Sequence, residues 1–148
     1  MVNWKPPEDQ WVKINVDGAT SNNGSLISCG GVIRDIEGRW IKGFAIKLGS
    51  GSVLLAEMWG ILLGITNEGH LDHPLSPIIL KIQRLMNQHQ NVKVTHAYRG
   101  ANHLADALAS HACRLNCKEE IFDRVPSFCN LIFQEDIRKL CFPRRVAA

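Results

Sequence analysis

The chain has 148 residues, of which 45% are hydrophobic and 21% are charged. This length fits one domain with a sizeable core, and the composition excludes an intrinsically disordered chain. The net charge of +3 tolerates a polyanionic partner without requiring one. The longest apolar stretch, around residues 53–65, is interrupted by a glutamate and two glycines and is too short to cross a bilayer. No membrane partner is predicted.

The five cysteines are odd in number and form no CxxC pair. The first residues are neither hydrophobic nor rich in arginine, so they do not indicate a targeting segment. Together these features predict a reducing, intracellular compartment, and nucleus and cytoplasm both stay open. Cys113 and Cys117 are four residues apart and could share a helix face. Buried structural thiols are favoured over a metal or redox pair, because no matching His or Cys pair has zinc spacing.

The first half of the chain predicts three antiparallel strands. After a lead-in over residues 1–10, residues 11–17 alternate between apolar and polar side chains, which predicts a strand that ends at Asp17. A polar loop over residues 20–25 follows. Two further strand patterns, over residues 28–34 and 39–47, are separated by a turn-forming segment at residues 35–38.

Helices dominate the second half. Ser52 is a candidate N-cap for a helix that runs to about Thr66, in which Glu57 shares a stripe with two glycines and is expected on a buried seam against the sheet. The alternative, an exposed Glu57, is less favoured because its neighbours on that stripe are small. The sequence also predicts a second helix that begins at Ser76, a strand over residues 92–98 and a last helix over residues 126–140.

Between that strand and the last helix, Asn102 is the predicted cap of a helix that carries Asp106 near its start. Its inward face consists of small and apolar residues: Leu104, Ala105, Leu108, Ala109 and Ala112.

Three acidic motifs occur in a fixed order: VDGA at Asp17, AE at Glu57, and Arg99-x-x-Asn102-x-x-Ala105-Asp106. Together with the segments GGVIRDIEGRWIKGF and VTHAYRGANHLADALA, they resemble the ribonuclease H family, specifically its plant retroelement type. The resemblance implies an α/β fold, with a mixed sheet of three antiparallel strands plus a parallel strand flanked by helices. Residues 11–114 would form the domain, and residues 115–148 a helical extension of it.

The resemblance also implies an activity, the cleavage of the RNA strand of an RNA–DNA hybrid with two Mg²⁺ ions, with Mn²⁺ as a possible substitute. By that pattern Asp17, Glu57 and Asp106 are the catalytic and metal-binding residues. Asp17 would bridge both ions, Asp106 would complete the ion that activates water, and Glu57 would serve the leaving-group side.

The resemblance further implies contacts with the nucleic-acid backbone. The loop around Gly18, Ala19 and Asn23 would supply some of them, and Asn102 would supply another. Arg99 is a candidate phosphate contact, and an ordinary salt bridge explains it equally well.

One part of the family pattern is missing. A strand that carries the fourth carboxylate, and the helix after it, should lie between Thr66 and Asn67, which indicates an internal deletion of about 20–30 residues. Asp72, in the loop beyond this junction, is not expected to substitute. The loss predicts impaired catalysis. It leaves three readings open: a hybrid ribonuclease, a non-catalytic nucleic-acid-binding domain, and an unstable deletion product. Oligomeric state is not predicted.

Overall fold

The computed structural model describes residues 2–21, 23–51, 61 and 99–140. Within these ranges, four strands form one antiparallel sheet in the order β1-β2-β3-β4, and the helices α1 and α2 accompany it. Their bounds are β1 Lys13–Ser21, β2 Leu26–Arg34, β3 Trp40–Gly49, α1 His103–Ala112, β4 Glu119–Phe122 and α2 Asn130–Arg138. The predicted helices that begin at Ser52 and Ser76, the predicted strand at 92–98, Glu57 and the junction after Thr66 lie outside the described residues.

The first hairpin confirms the predicted pairing but extends further than predicted. Strand β1 does not end at Asp17 but continues to Ser21, which pairs with Leu26. The reversal is confined to a tight turn, because Asn23 and Gly24 both adopt positive φ values, 55° and 85°. The predicted loop is therefore shorter, and Asp17 lies in the middle of a strand.

The second hairpin turns where the sequence predicts. Asp35 accepts a hydrogen bond from Gly38 N at 3.0 Å through its carbonyl, and its Oδ1 accepts two more from Glu37 N and Arg39 N, both at 2.9 Å. Gly38 has a φ of 80°, a conformation that glycine adopts without a steric penalty.

Strand β4 was not predicted. It consists of the four residues EEIF and pairs antiparallel with β3 from Gly43–Phe122 to Ile46–Glu119. Two glutamates and one exposed isoleucine give no alternating pattern long enough to indicate a strand. Pairing with β3, rather than the local sequence, forms this strand.

Helix α1 packs on one face of the sheet, and its predicted inward face is confirmed. Leu104, Ala105, Leu108, Ala109 and Ala112 are all at most 2% exposed. These side chains pack into a core that also contains residues of β2, β3, β4 and the chain after α1. The other members of this core include Val32, Ala45, Leu115, Phe122 and Cys129.

A second cluster surrounds the fully buried guanidinium of Arg34 at the end of β2. The guanidinium lies 3.7 Å from the ring centroid of Trp4 and 5.0 Å from that of Phe133, and it forms a 2.8 Å ion pair with Asp136 on α2. Trp4 is itself buried and donates through Nε1 to Asn15 Oδ1 at 2.8 Å. Since a buried charge needs a partner, this cluster connects the N-terminal segment and α2 to the sheet.

The last predicted helix is present but shorter. Residues Ser127–Cys129 form a 3₁₀ turn, and α2 begins only at Asn130. Pro126 precedes the turn in an extended conformation.

The favoured interpretation, a buried thiol, is wrong for Cys117, and the helix face that Cys113 and Cys117 could have shared is not formed. Helix α1 ends at Ala112, so Cys113 and Cys117 do not share a helix face. Cys117 is also exposed rather than buried, and its thiol donates to Glu119 O at 3.3 Å. The described cysteines Cys29, Cys113, Cys117 and Cys129 all carry free thiols. Within the described ranges, no helix has the length and apolar character needed to span a membrane.

Candidate metal and nucleic-acid site

Asp17 lies on the face of the sheet that α1 covers. Its cross-strand partner is Gly30 of β2, and directly paired residues project from the same face of an antiparallel sheet. The Oδ1 atom of Asp17 accepts a hydrogen bond from Gly18 N at 2.9 Å, which orients the carboxylate.

Gly30 permits the backbone of α1 to approach the sheet at this point. A Cβ atom on Gly30 would lie 2.2 Å from Ala109 N and 2.5 Å from the Leu108 carbonyl carbon. Both are backbone atoms, so no change of side-chain rotamer could make room. The absence of a side chain at position 30 therefore sets the distance between α1 and the row of the sheet that holds Asp17.

Asn102 connects the beginning of α1 to β1. It occupies the predicted N-cap position, but its side chain makes no cap hydrogen bond. Its Nδ2 instead donates to Val16 O at 3.0 Å, one residue before Asp17. Its Oδ1 is buried and has no hydrogen-bond partner among the described residues. Asn102 is thus a bridge between the helix and the strand.

Asp106 lies between these two contacts. Asn102, Asp106 and Ala109 are spaced i, i+4 and i+7, so they follow one stripe of the helix. Asn102 at one end of the stripe touches β1, Ala109 at the other end touches Gly30 of β2, and Asp106 remains exposed. The same two contacts flank Asp17 on the sheet. The fold therefore brings Asp17 and the start of α1 that carries Asp106 to one place.

The chemistry of this pair fits a hard divalent cation. Carboxylate oxygens are the ligands that Mg²⁺ prefers, and Mg²⁺ retains several waters, so two carboxylates can contribute to a site. In residues 2–21, 23–51, 61 and 99–140 no group of three His, Cys, Asp or Glu side chains is placed to hold a metal ion. Glu57, the third predicted ligand, lies outside the described residues.

The predicted nucleic-acid contacts lie on β1, at the tip of the first hairpin and before α1. Gly18 and Ala19 belong to β1 rather than to a loop, as the longer strand requires. Asn23 is exposed at the tip of the first hairpin, and Arg99 is exposed in a 3₁₀ turn that leads to Asn102.

Two features of the site were missed by sequence reasoning. The strand pattern over residues 28–34 does not single out Gly30, although glycine inside a strand often marks a close backbone approach, which is the available signal. The bond from Asn102 to Val16 had no such signal, because it joins residues 86 positions apart.

Solved structures define the class of this fold. The chain is similar to the N-terminal RNase H domain of a Mycobacterium tuberculosis protein, with a TM-score of 0.58 and 19% identity over 70% of this chain and 93% of that one. It is also similar to RNase H1 of the archaeon Halobacterium salinarum, with a TM-score of 0.54 and 20% identity over 70% and 97%. A third similar structure, LC11-RNase H1 in complex with an RNA/DNA hybrid, has a TM-score of 0.56 and 19% identity over 69% and 96%. The chain has the α/β fold of the ribonuclease H-like superfamily.

Sequence comparison gives the family. The model of the family described as reverse transcriptase-like matches residues 15–68 and again residues 65–112, and the chain belongs to this family. An Arabidopsis thaliana protein named "Putative ribonuclease H protein" is 34% identical over 170 aligned positions, which take in 99% of this chain and 27% of that protein. The chain thus spans about a quarter of the length of this relative.

Proposed function

We propose that this chain is a ribonuclease H-type domain that binds RNA–DNA hybrids and hydrolyses them weakly or not at all. The observation that carries the proposal is the arrangement of Asp17 and the start of α1 that bears Asp106, held together by the contacts of Asn102 and Gly30. A protein that had the fold without the metal-binding function would not require Asp17 or Asp106 at these positions.

In this proposal Asp17 and Asp106 hold Mg²⁺, with Glu57 as a third ligand. When bound, the metal would polarise the scissile phosphate and lower the pKa of a bound water. The residues of the chain supply position: Gly18 N orients the Asp17 carboxylate, and Asn102 fixes the start of α1 relative to β1.

The impairment follows from the proposed deletion. Two findings support the deletion independently of the motif reading. The family match breaks and restarts at residues 65–68, which is the junction indicated by the sequence. The alignment with the Arabidopsis protein has 170 positions, at least 22 more than the 148 residues of this chain. A missing segment of that size can carry a strand and a helix, including the fourth carboxylate.

Preference for a hybrid is supported by the third structural neighbour, whose complex contains an RNA/DNA hybrid. Recognition would depend on 2′-hydroxyl and phosphate contacts across the shallow minor groove, not on base identity. Arg99, exposed beside the start of α1, is the proposed phosphate contact.

Fluorescence anisotropy tests the binding part of the proposal. A labelled RNA–DNA hybrid should bind more tightly than a DNA duplex of the same sequence, and Arg99→Ala should lower the slope of log K against log salt by about one. Arg138→Ala, which removes an exposed charge from α2, is the matched control and should leave the slope unchanged. Equal affinity for both duplexes would exclude hybrid recognition.

A further inference from the structure

A basic pocket lies at the end of β3, where the chain between α1 and β4 passes beside it. The pocket has a volume of about 460 Å³. Its lining residues are Lys47, Leu48, Gly49, Asn116, Cys117 and Lys118. The described part of the lining thus contains two lysines and one asparagine and no acidic residue.

The two lysines face each other across neighbouring strands. Ile46 pairs with Glu119, and the ladder continues by one residue, because Lys47 N donates to Lys118 O at 2.8 Å. Side chains directly opposite each other share a face, with Cβ atoms about 4.5–5.5 Å apart. Like charges in that position repel and destabilise the sheet.

Among the described residues, no carboxylate forms an ion pair with either lysine. Glu120 projects from the same face as Lys118, two residues along β4, but its Oε2 lies 3.1 Å from His111 Nε2. The repulsion can be offset by a bound anion.

The backbone of β3 is irregular where it lines the pocket. The register between β2 and β3 shifts between Ile27–Gly49 and Ser28–Lys47, so Leu48 is a bulged residue. Bulges redirect a strand and are frequent beside functional sites. Gly49 then ends β3 with a φ of 88°.

The pocket shares a face with the proposed catalytic pair. Asp17 pairs with Gly30, which pairs with Ala45, whereas Ala19 pairs with Ser28, which pairs with Lys47. Lys47 is therefore two strands across the sheet from Asp17 and two residues along it. Those steps correspond to about 10 Å and about 7 Å. Because nucleotides are spaced about 3.4 Å apart along a nucleic-acid strand, the separation between Asp17 and Lys47 corresponds to a few nucleotides.

We propose that Lys47 and Lys118, with Asn116, bind a backbone phosphate of the nucleic acid whose scissile bond lies at Asp17 and Asp106. This inference rests on the proposed function and adds a phosphate subsite to it. The subsite explains why an otherwise unfavourable pair of like charges lies opposite each other at an open cavity.

The test compares the double variant Lys47→Ala/Lys118→Ala with the charge-matched control Lys42→Ala/Arg124→Ala. Lys42 projects from the opposite face, since it pairs with Ile33, and Arg124 is exposed beyond β4. Hybrid binding is measured by anisotropy from about 50 to about 200 mM salt. The slope of log K against log salt should be smaller by about two in the lysine variant than in the wild type. Over this range of salt concentration, the affinity of the variant should therefore fall roughly tenfold less than that of the wild type. The control should retain the wild-type slope.

Stability provides a second readout. Removing the repulsion should leave the Tm of Lys47→Ala/Lys118→Ala equal to or above that of the wild type. Lys118→Glu should raise the Tm, because an opposite charge then faces Lys47, and should reduce the salt slope.

A wild-type slope in the double variant, in a protein that binds hybrid, would overturn the subsite and leave the proposed function standing. A wild-type protein that binds no hybrid would overturn both. Inorganic phosphate that raises the Tm of the wild type but not of the double variant, together with an unchanged salt slope, would assign the pocket to free phosphate and overturn the nucleic-acid subsite.

Discussion

At the scale of single residues, the missing side chain of Gly30 positions the site. We predict that Gly30→Ala destabilises the protein by about 1–3 kcal/mol, the range of overpacked cores, because the added methyl group would strike the backbone of α1. Urea unfolding measures the change. Thr20→Ala, at an exposed position of β1, is the control and should change stability by less than about 0.5 kcal/mol. An alanine at position 30 with wild-type stability would show that α1 does not lie against this row.

Cys29, also on β2, predicts a pH dependence. Burial raises the pKa of its thiol from 9.0 to about 12. The contribution of the protonated thiol to stability is therefore complete below pH 9 and is lost as the pH rises towards 12, because the unfolded chain ionises first. At about pH 10 the loss amounts to about 1 kcal/mol.

Cys29→Ala removes this group and is the comparison that isolates it from other alkaline titrations. Urea unfolding at neutral pH and at about pH 10 should show a smaller alkaline loss in the variant than in the wild type. Parallel losses in both proteins would contradict the assignment.

At the scale of elements, Asn102 joins the start of α1 to β1. We predict that Asn102→Ala lowers Mg²⁺ affinity by about 10–100-fold, as loss of an orienting contact does, through displacement of Asp106 relative to Asp17. The measurement is the Mg²⁺ concentration at the midpoint of a thermal-shift titration. Asn130→Ala, at the start of α2, is the matched control. Equal midpoints for Asn102→Ala and the wild type would mean that this bond does not position the carboxylates.

The contact between α2 and the sheet depends on Arg34. We predict that Asp136→Asn costs about 3–5 kcal/mol, because it leaves the buried guanidinium without a counter-charge. Arg34→Met removes the charge and retains apolar volume. In a double-mutant cycle, Arg34→Met/Asp136→Asn should be markedly more stable than the sum of the single effects predicts. If the stability changes of Arg34→Met and Asp136→Asn simply add in the double variant, the ion pair between these residues does not stabilise the protein.

At the scale of the whole molecule, the sequence predicted the elements whose pattern is local. Alternation identified β1, strand-type runs on either side of a turn identified β2 and β3, and helical periodicity identified the buried face of α1. Strand β4 and the burial of Arg34 depend on partners 30 or more residues away, so no local pattern predicts them. The same reason explains why Asn102 was assigned a cap rather than its bond to Val16.

The candidate site was predictable in part. Motifs placed Asp17 at the end of a strand and Asp106 near a helix start. The structure confirms the setting of Asp106 and places Asp17 inside β1 rather than at its end. Motifs could not predict the close approach of α1 to Gly30 or the pairing of Lys47 with Lys118, because both depend on the packing of elements that are distant in sequence.

The protein as proposed binds RNA–DNA hybrids and has a metal site that lacks one carboxylate ligand. The most direct measurement is cleavage of a labelled RNA–DNA hybrid in Mg²⁺ and in Mn²⁺, with binding of the same hybrid measured on the same preparation. We predict clear binding and cleavage at least about a hundredfold below that of a relative with four carboxylates, since a lost metal ligand costs at least as much as a lost outer contact. Asp17→Asn should abolish any residual cleavage. Robust Mg²⁺-dependent cleavage by the wild type, abolished by Asp17→Asn, would contradict the claim that the site is impaired.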